Sequence, residues 1–194
     1  MLSFKDSLKI LKETNALIDG HFILSSGLHS PQYVQCAQLL SNPHKAEKFC
    51  NSLADKISKE FNNIDLILSP AMGGIVIGYE IGRLLKKVAI FSERVNGEFK
   101  LRRGFKILEN AKVLVVEDVI TTGKSSLECS KLIKDSNANL LGFACLIDRS
   151  NGTSMLNKKI VSQLQINIPT YKENELPKDL KLIPATKPGS RDLK

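Results

Sequence analysis

The chain of 194 residues has no tryptophan, and aromatic residues make up only 6% of it. Single-stranded nucleic acid is gripped by stacking bases on aromatic faces, so this composition argues against nucleic acid as the main partner. Cysteine is sparse. Cys36, Cys50, Cys129 and Cys145 show no CxxC spacing, and with three scattered histidines they make no recognisable metal set. Free thiols buried in a reducing compartment are expected. No apolar run approaches the roughly 20 residues of a membrane span. The opening stretch MLSFKDSLKILKE is amphipathic and mixed in charge, without the apolar centre of a secretion signal. No membrane association is expected, and the expected location is the cytoplasm. Nothing repeats at a fixed period.

What is present fits one ordinary domain, with a hydrophobic content of 42% and a charged content of 25%. Lys and Arg number 28 against 20 Asp and Glu, a net charge of +8. The basic residues are spread along the chain rather than massed in one helix. Such a surface suits a polyanionic small molecule as well as it suits nucleic acid.

One stretch carries the most chemistry: KVLVVEDVITTGKSS, Lys112 to Ser126. Val113-Leu114-Val115-Val116 reads as a strand buried on both faces. Glu117 and Asp118 follow at its carboxyl end. Val119-Ile120-Thr121-Thr122-Gly123-Lys124-Ser125 then leads into a helical pattern. A helix start offers free N–H groups and partial positive charge, which suit a phosphate. The acids suit ribose hydroxyls or a hydrated metal. Gly123-Lys124-Ser125 imitates the end of a P-loop, but that motif needs a glycine five residues before its second one. Here that residue is Asp118, whose carboxylate would repel nucleotide phosphates.

The stretch resembles the diphosphoribosyl-binding signature of the type I phosphoribosyltransferases: apolar strand, two acids, two apolar residues, T-T-G-K-S. By that resemblance Glu117 and Asp118 hold the ribose hydroxyls of phosphoribosyl diphosphate. Val119, Ile120 and the loop Thr121, Thr122, Gly123, Lys124 and Ser125 wrap its 5′-phosphate. The chemistry is sound: carboxylates accept from vicinal hydroxyls, and N–H and O–H donors hold a dianion.

Ser3 to Leu17 has the spacing of an amphipathic helix capped by Ser3. Two short strands, near Phe22–Leu24 and Tyr33–Gln35, flank a Gly- and Ser-rich turn. The string G-H-F-x-L-x-S-G-x-H-S-x-x-Y, Gly20 to Tyr33, is similar to the N-terminal hood of the orotate phosphoribosyltransferases, which folds over the substrate base. Some members carry a lysine just after the leucine; here that position is Ser25, and the lysine's role is not transferred to it. The resemblance implies that Ser25, Gly27, Thr121 and Arg149 border the orotate. Asn42-Pro43 opens a helix to about Phe61. The strand Ile64–Ser69 leads to Pro70-Ala71-Met72-Gly73-Gly74 and a helix to about Leu85. By resemblance Ala71, Met72, Gly73 and Gly74 form the diphosphate loop, binding through backbone N–H groups. Gly73 stands where some relatives have a lysine.

A third strand, Lys87–Ser92, runs into ERVNGEFKLRRGF, Glu93 to Phe105, which shows almost no apolar periodicity. It reads either as a solvated basic hairpin or as a mobile basic lid with few core anchors. The family has such a lid, shared across a homodimer interface, so Arg94, Lys100, Arg102 and Arg103 are the candidate catalytic cations beside Asp118. A helix over Ser125–Asp135 and strands over Leu140–Ile147 and Ile160–Ile168 follow. Arg149 ends the first of these strands. It reads as an ion pair with Asp148, or, by resemblance, as the contact to the orotate carboxylate. The tail from Pro169 is polar and holds four prolines. Its end, Lys187-Pro188-Gly189-Ser190-Arg191, resembles the tails of one orotate subfamily, and no mechanism attaches to it.

Strands and helices alternate from Asn42 onward, which implies an α/β fold with a mostly parallel central sheet flanked by helices. The expected parts are helix and hood at 1–40, a phosphoribosyltransferase core at 41–168 and a tail at 169–194. The resemblance implies transfer of the phosphoribosyl group from phosphoribosyl diphosphate to orotate. Mg2+ would be held by substrate oxygens, with Asp118 reaching it only through water. Two alternatives stand beside this reading. A purine phosphoribosyltransferase would share the central stretch but not the hood. A nucleic-acid-binding regulator would need an added segment, and the first 20 residues are short for one.

Overall fold

The computed structural model describes residues 1–24 and 26–188. Helix α1 (Phe4–Glu13) starts where Ser3 accepts the Asp6 N–H at 3.1 Å. It stops earlier than its apolar spacing predicts. Asn15 turns the backbone to φ +54°, and Leu17 and Ile18 open strand β1 (Leu17–Ile23) instead. β1 pairs antiparallel with β2 (His29–Val34) to form the hood. A short helix absent from the sequence reading, α2 (Cys36–Leu40), leads to α3 (Pro43–Glu60). Asn42 caps α3 by accepting the Lys45 N–H, and Pro43 sits in the first turn, where it loses no bond.

The core is one six-stranded sheet built from β3 (Leu66–Pro70), β4 (Val88–Val95), β5 (Glu98–Leu101), β6 (Lys112–Ile120), β7 (Asn139–Asp148) and β8 (Ile160–Gln165). Its order is β5-β4-β3-β6-β7-β8, and only β5 runs antiparallel, to β4. α4 (Gly73–Leu85) follows β3, and α5 (Lys124–Asp135) follows β6. The period of two along β6 sorts its side chains. Leu114 and Val116 join the core under α3 and α4, with Ile57, Ile77 and Ile81. Val113 and Val115 join the core under α5, with Cys129 and Ile133. The centre of the sheet is therefore apolar on both faces, as its continuous Val and Leu runs require.

Two segments differ from their sequence reading. The basic stretch after β4 is a hairpin with anchors: Phe99 and Ile107 are buried, and Phe105 packs edge-on against Phe91. Single apolar residues at irregular spacing leave no periodic trace. The proline-rich end of the chain is fastened to the hood. Tyr171 exchanges backbone hydrogen bonds with His29, at 2.8 and 2.9 Å, and Thr186 bridges β1 at Phe22. A short helix, α6 (Lys178–Lys181), lies between them.

Candidate active site

The carboxyl ends of β3, β4, β6 and β7 come out along one edge of the sheet, where ligands bind in open α/β folds. The two acids of the central stretch stand there on opposite faces, because successive strand residues alternate. Glu117 faces α5 and accepts the Ser126 hydroxyl. Burial pushes its carboxyl up to about 7, against the Ser126 hydrogen bond and with the help of neighbouring Asp118. Asp118 faces the other way, against the start of α4. A Cβ added to Gly73 would lie 2.7 Å from an Asp118 carboxylate oxygen, so Gly73 is the residue that lets the loop from Ala71 to Gly74 close on this acid. Burial raises Asp118 as well, opposed by backbone N–H groups.

The loop from Ala71 to Gly74, expected from the sequence to bind diphosphate, projects from this point. Ala71 is partly exposed, Met72 and Gly73 are exposed, and Gly74 is packed against Pro70, Ser69 and the Val116 carbonyl. On the other side of β6, Val119 and Ile120 complete the strand, and Thr121 and Thr122 are exposed at the turn. Thr122 Oγ1 accepts the Lys124 N–H at 3.3 Å. Gly123 takes φ +79° at the start of α5 and carries Leu156 directly over it. Any side chain there would meet both strain and a clash. Lys124 and Ser125 begin the helix, whose N-terminal end faces the turn.

Arg149 lies beside this loop because its backbone N–H donates to Ile120 O at 2.8 Å, joining the ends of β6 and β7. The ion pair with Asp148 does not form. Asp148 turns back to accept the Ser150 N–H at 2.8 Å. Arg149 is partly buried and its Nε has no hydrogen-bond partner. It pairs with no carboxylate among the described residues, and burial lowers its affinity for its proton. It lines a cleft of about 1020 Å³ together with Gly27, Tyr33, Gln35, Thr121, Thr122 and Lys187. Tyr33, Gln35 and Lys187 carried no site role in the sequence reading, although Tyr33 and Lys187 lay in its hood and tail strings. Ser25 lies outside the described residues, as do Gly189, Ser190 and Arg191 of the tail.

The four basic candidates of the hairpin do not converge on this cleft. Arg94 stacks on Phe99, 4.2 Å from the ring centroid, and reaches Glu128 at 2.7 Å. Glu93 holds Arg102 at 3.1 Å and also Arg103. Lys100 stands opposite Glu93 in the hairpin register and is 3.9 Å from Glu98. The alternation puts Arg94 and Lys100 on opposite faces of the hairpin.

The family model for the phosphoribosyl transferase domain matches residues 36–180. The chain is 48% identical to an orotate phosphoribosyltransferase of Parvibaculum lavamentivorans, over 97% of this chain and 99% of that one. It is 47% identical to that of Erythrobacter litoralis, over 96% and 97%. The chain belongs to the orotate phosphoribosyltransferase family. Among solved structures, an orotate phosphoribosyltransferase from Aeropyrum pernix superposes with a TM-score of 0.68 at 23% identity, covering 82% of this chain and 93% of that one. An adenine phosphoribosyltransferase from Thermoanaerobacter pseudethanolicus gives 0.60 at 17% identity, covering 70% and 88%. The fold is thus common to enzymes named for different bases. Membership of the orotate family rests on sequence identity along nearly the whole chain, and it sets aside the P-loop, purine and regulator readings. Among the described residues the cleft is cationic: Arg149 and Lys187 line it, and no acidic side chain does.

Proposed function

We propose that the chain transfers the 5-phosphoribosyl group from phosphoribosyl diphosphate to orotate, giving orotidine 5′-monophosphate and diphosphate. Arg149 is the observation that carries the choice of base. A partly buried guanidinium without a carboxylate partner, beside a phosphate loop, is matched by an anionic base and not by a neutral one. Asp118 and Glu117 accept hydrogen bonds from the ribose hydroxyls. Thr121 to Ser125 hold the 5′-phosphate through N–H and O–H donors at the start of α5. The N–H groups of Ala71 to Gly74 hold the diphosphate, and the contact between Gly73 and Asp118 makes ribose and diphosphate sites adjacent.

The bond from the anomeric carbon to the diphosphate oxygen breaks, and a bond to the orotate ring nitrogen forms. The nitrogen attacks as an anion, so Asp118 is not needed as a general base. The transition state is oxocarbenium-like, and the two carboxylates beside the ribose stabilise its positive charge. The described residues hold no cluster of three or more His, Cys, Asp or Glu side chains fit for a metal. This donor set suits Mg2+ carried on substrate oxygens, with Asp118 reaching it through water. That ion, when bound, supplies positive charge to the departing diphosphate.

The hairpin serves as the lid. Its cations Arg94, Lys100, Arg102 and Arg103 are themselves exposed, and they exchange their present carboxylate partners for the diphosphate of a neighbouring subunit. The face for that homodimer is the pair Val76 and Tyr79 on α4, continued by Met72 at its N-cap. Met72, Val76 and Tyr79 recur at helical spacing and are 82%, 53% and 69% exposed. Among the described residues no helix is long and apolar enough to cross a membrane, and the cytoplasm is the proposed site of action.

Kinetics of Arg149→Ala test the base assignment. The expected result is an orotate KM raised by about tenfold or more, the worth of a charge-assisted pair, with little change in that for phosphoribosyl diphosphate. An equal rise in both would make Arg149 a structural residue.

A further inference from the structure

The cleft holding Arg149 has a second cation, and it comes from the far end of the chain. Lys187 lines it beside Ile23, Leu24 and Pro188. Its position is fixed by the residue before it. Thr186 O accepts the Ile23 N–H at 2.8 Å, and Thr186 N–H donates to His21 O at 2.9 Å. The same strap is tied once more at Ile183, whose carbonyl accepts from His21 Nδ1 at 2.8 Å. A carbonyl only accepts, so that nitrogen carries the proton. His21 Nε2 lies 2.6 Å from His29 Nδ1, which ties the two hood strands together within this buried pair. Pro188 holds Lys187 in extended backbone, because the residue before a proline is kept out of the helical region. The lysine therefore starts from a set place on the rim, next to the hood strand that roofs the cleft.

We propose that Lys187 is an orotate-binding residue, and that the C-terminal strap and the sheet edge clamp the base between Lys187 and Arg149. The proposal rests on the orotate reading above. Orotate brings a carboxylate, and its ring gains negative charge as the nitrogen prepares to attack. The planar fork of Arg149 suits the carboxylate, and a lysine ammonium, a compact charge on a long stem, suits the ring oxygens. A cleft lined by two cations, with no acid among the described residues that line it, matches that charge.

The test is steady-state kinetics on the full chain with Lys187→Met and Lys187→Arg, alongside thermal melting. Lys187→Met is expected to raise the orotate KM by about tenfold, the worth of one charge-assisted contact. The KM for phosphoribosyl diphosphate and the melting temperature should stay close to wild type, since Lys187 is exposed. Lys187→Arg should recover the orotate KM to within about twofold. A strap that only braces the hood would instead move both KM values and the melting temperature together, and arginine would not restore them. An unchanged orotate KM in Lys187→Met, or an equal rise for both substrates, overturns the proposal while wild-type turnover of orotate leaves the base assignment standing. A wild type that does not use orotate removes that assignment, and this proposal with it.

Discussion

Glu117 sits in an environment unfavourable to the charge it needs. Its folded value of about 7 stands above the ordinary 4.5. A proton on Glu117 therefore favours the fold. That contribution is complete below the unfolded value and is lost as pH rises from about 4.5 to about 7. At about 1.4 kcal/mol per unit, the group disfavours the fold at pH 8 by about 3 kcal/mol. Glu117→Gln keeps the shape and the Ser126 contact without the charge. It should raise the melting temperature at about pH 8 by several degrees and change it little below pH 4.5, while lowering transfer activity. The same melting temperature as wild type at both pH values would show that Glu117 is not strained. The signature that led to this residue was legible because strand, acids and loop are contiguous. The opposition of the two acids across β6 followed from the same alternation. The turned-back Asp148 was not legible, because nothing in an Asp-Arg pair says which group the carboxylate will accept from.

At the scale of elements, two glycines of α4 separate function from stability. Alanine at Gly73 would press on the end of the Asp118 side chain. That end can swing away, so Gly73→Ala should leave melting nearly unchanged and cut turnover by displacing the acid. Alanine at Gly78 would meet Ser69 Oγ at 2.1 Å and its Cβ at 2.9 Å. A Cβ cannot swing away, so α4 must lift from β3, at a cost of about 1–3 kcal/mol in urea unfolding. Equal effects of the two substitutions on stability would contradict this division. The βα elements were legible from their buried runs and caps. The union of the strap with the hood was not. Tyr171 and Thr186 pair with residues more than 100 positions away, and such pairing leaves no local pattern in a stretch broken by prolines. The anchors of the basic hairpin, Phe99 and Ile107, were hidden for a related reason: each is buried by neighbours distant in sequence.

At the scale of the whole molecule, the hairpin's cations stand apart from the cleft. They pair with acids of their own hairpin and of α5. A lid acting across the proposed α4 face supplies these cations from a second copy. Mixing Arg103→Ala subunits with Asp118→Asn subunits should then restore part of the activity, because one site in each mixed dimer keeps both a whole lid and a whole ribose site. No recovery in verified mixed dimers would mean that the lid acts within its own subunit. The positive surface, net +8, favours the approach of phosphoribosyl diphosphate whichever subunit closes on it. The choice of base remains the central claim, since the fold itself is common to enzymes named for different bases. The most direct test is diphosphate release from phosphoribosyl diphosphate and Mg2+ with orotate, adenine, hypoxanthine or uracil as acceptor. Release should depend on orotate and be near background with the three bases that lack a carboxylate. Turnover of a purine at a comparable rate, or none with orotate, would contradict the assignment.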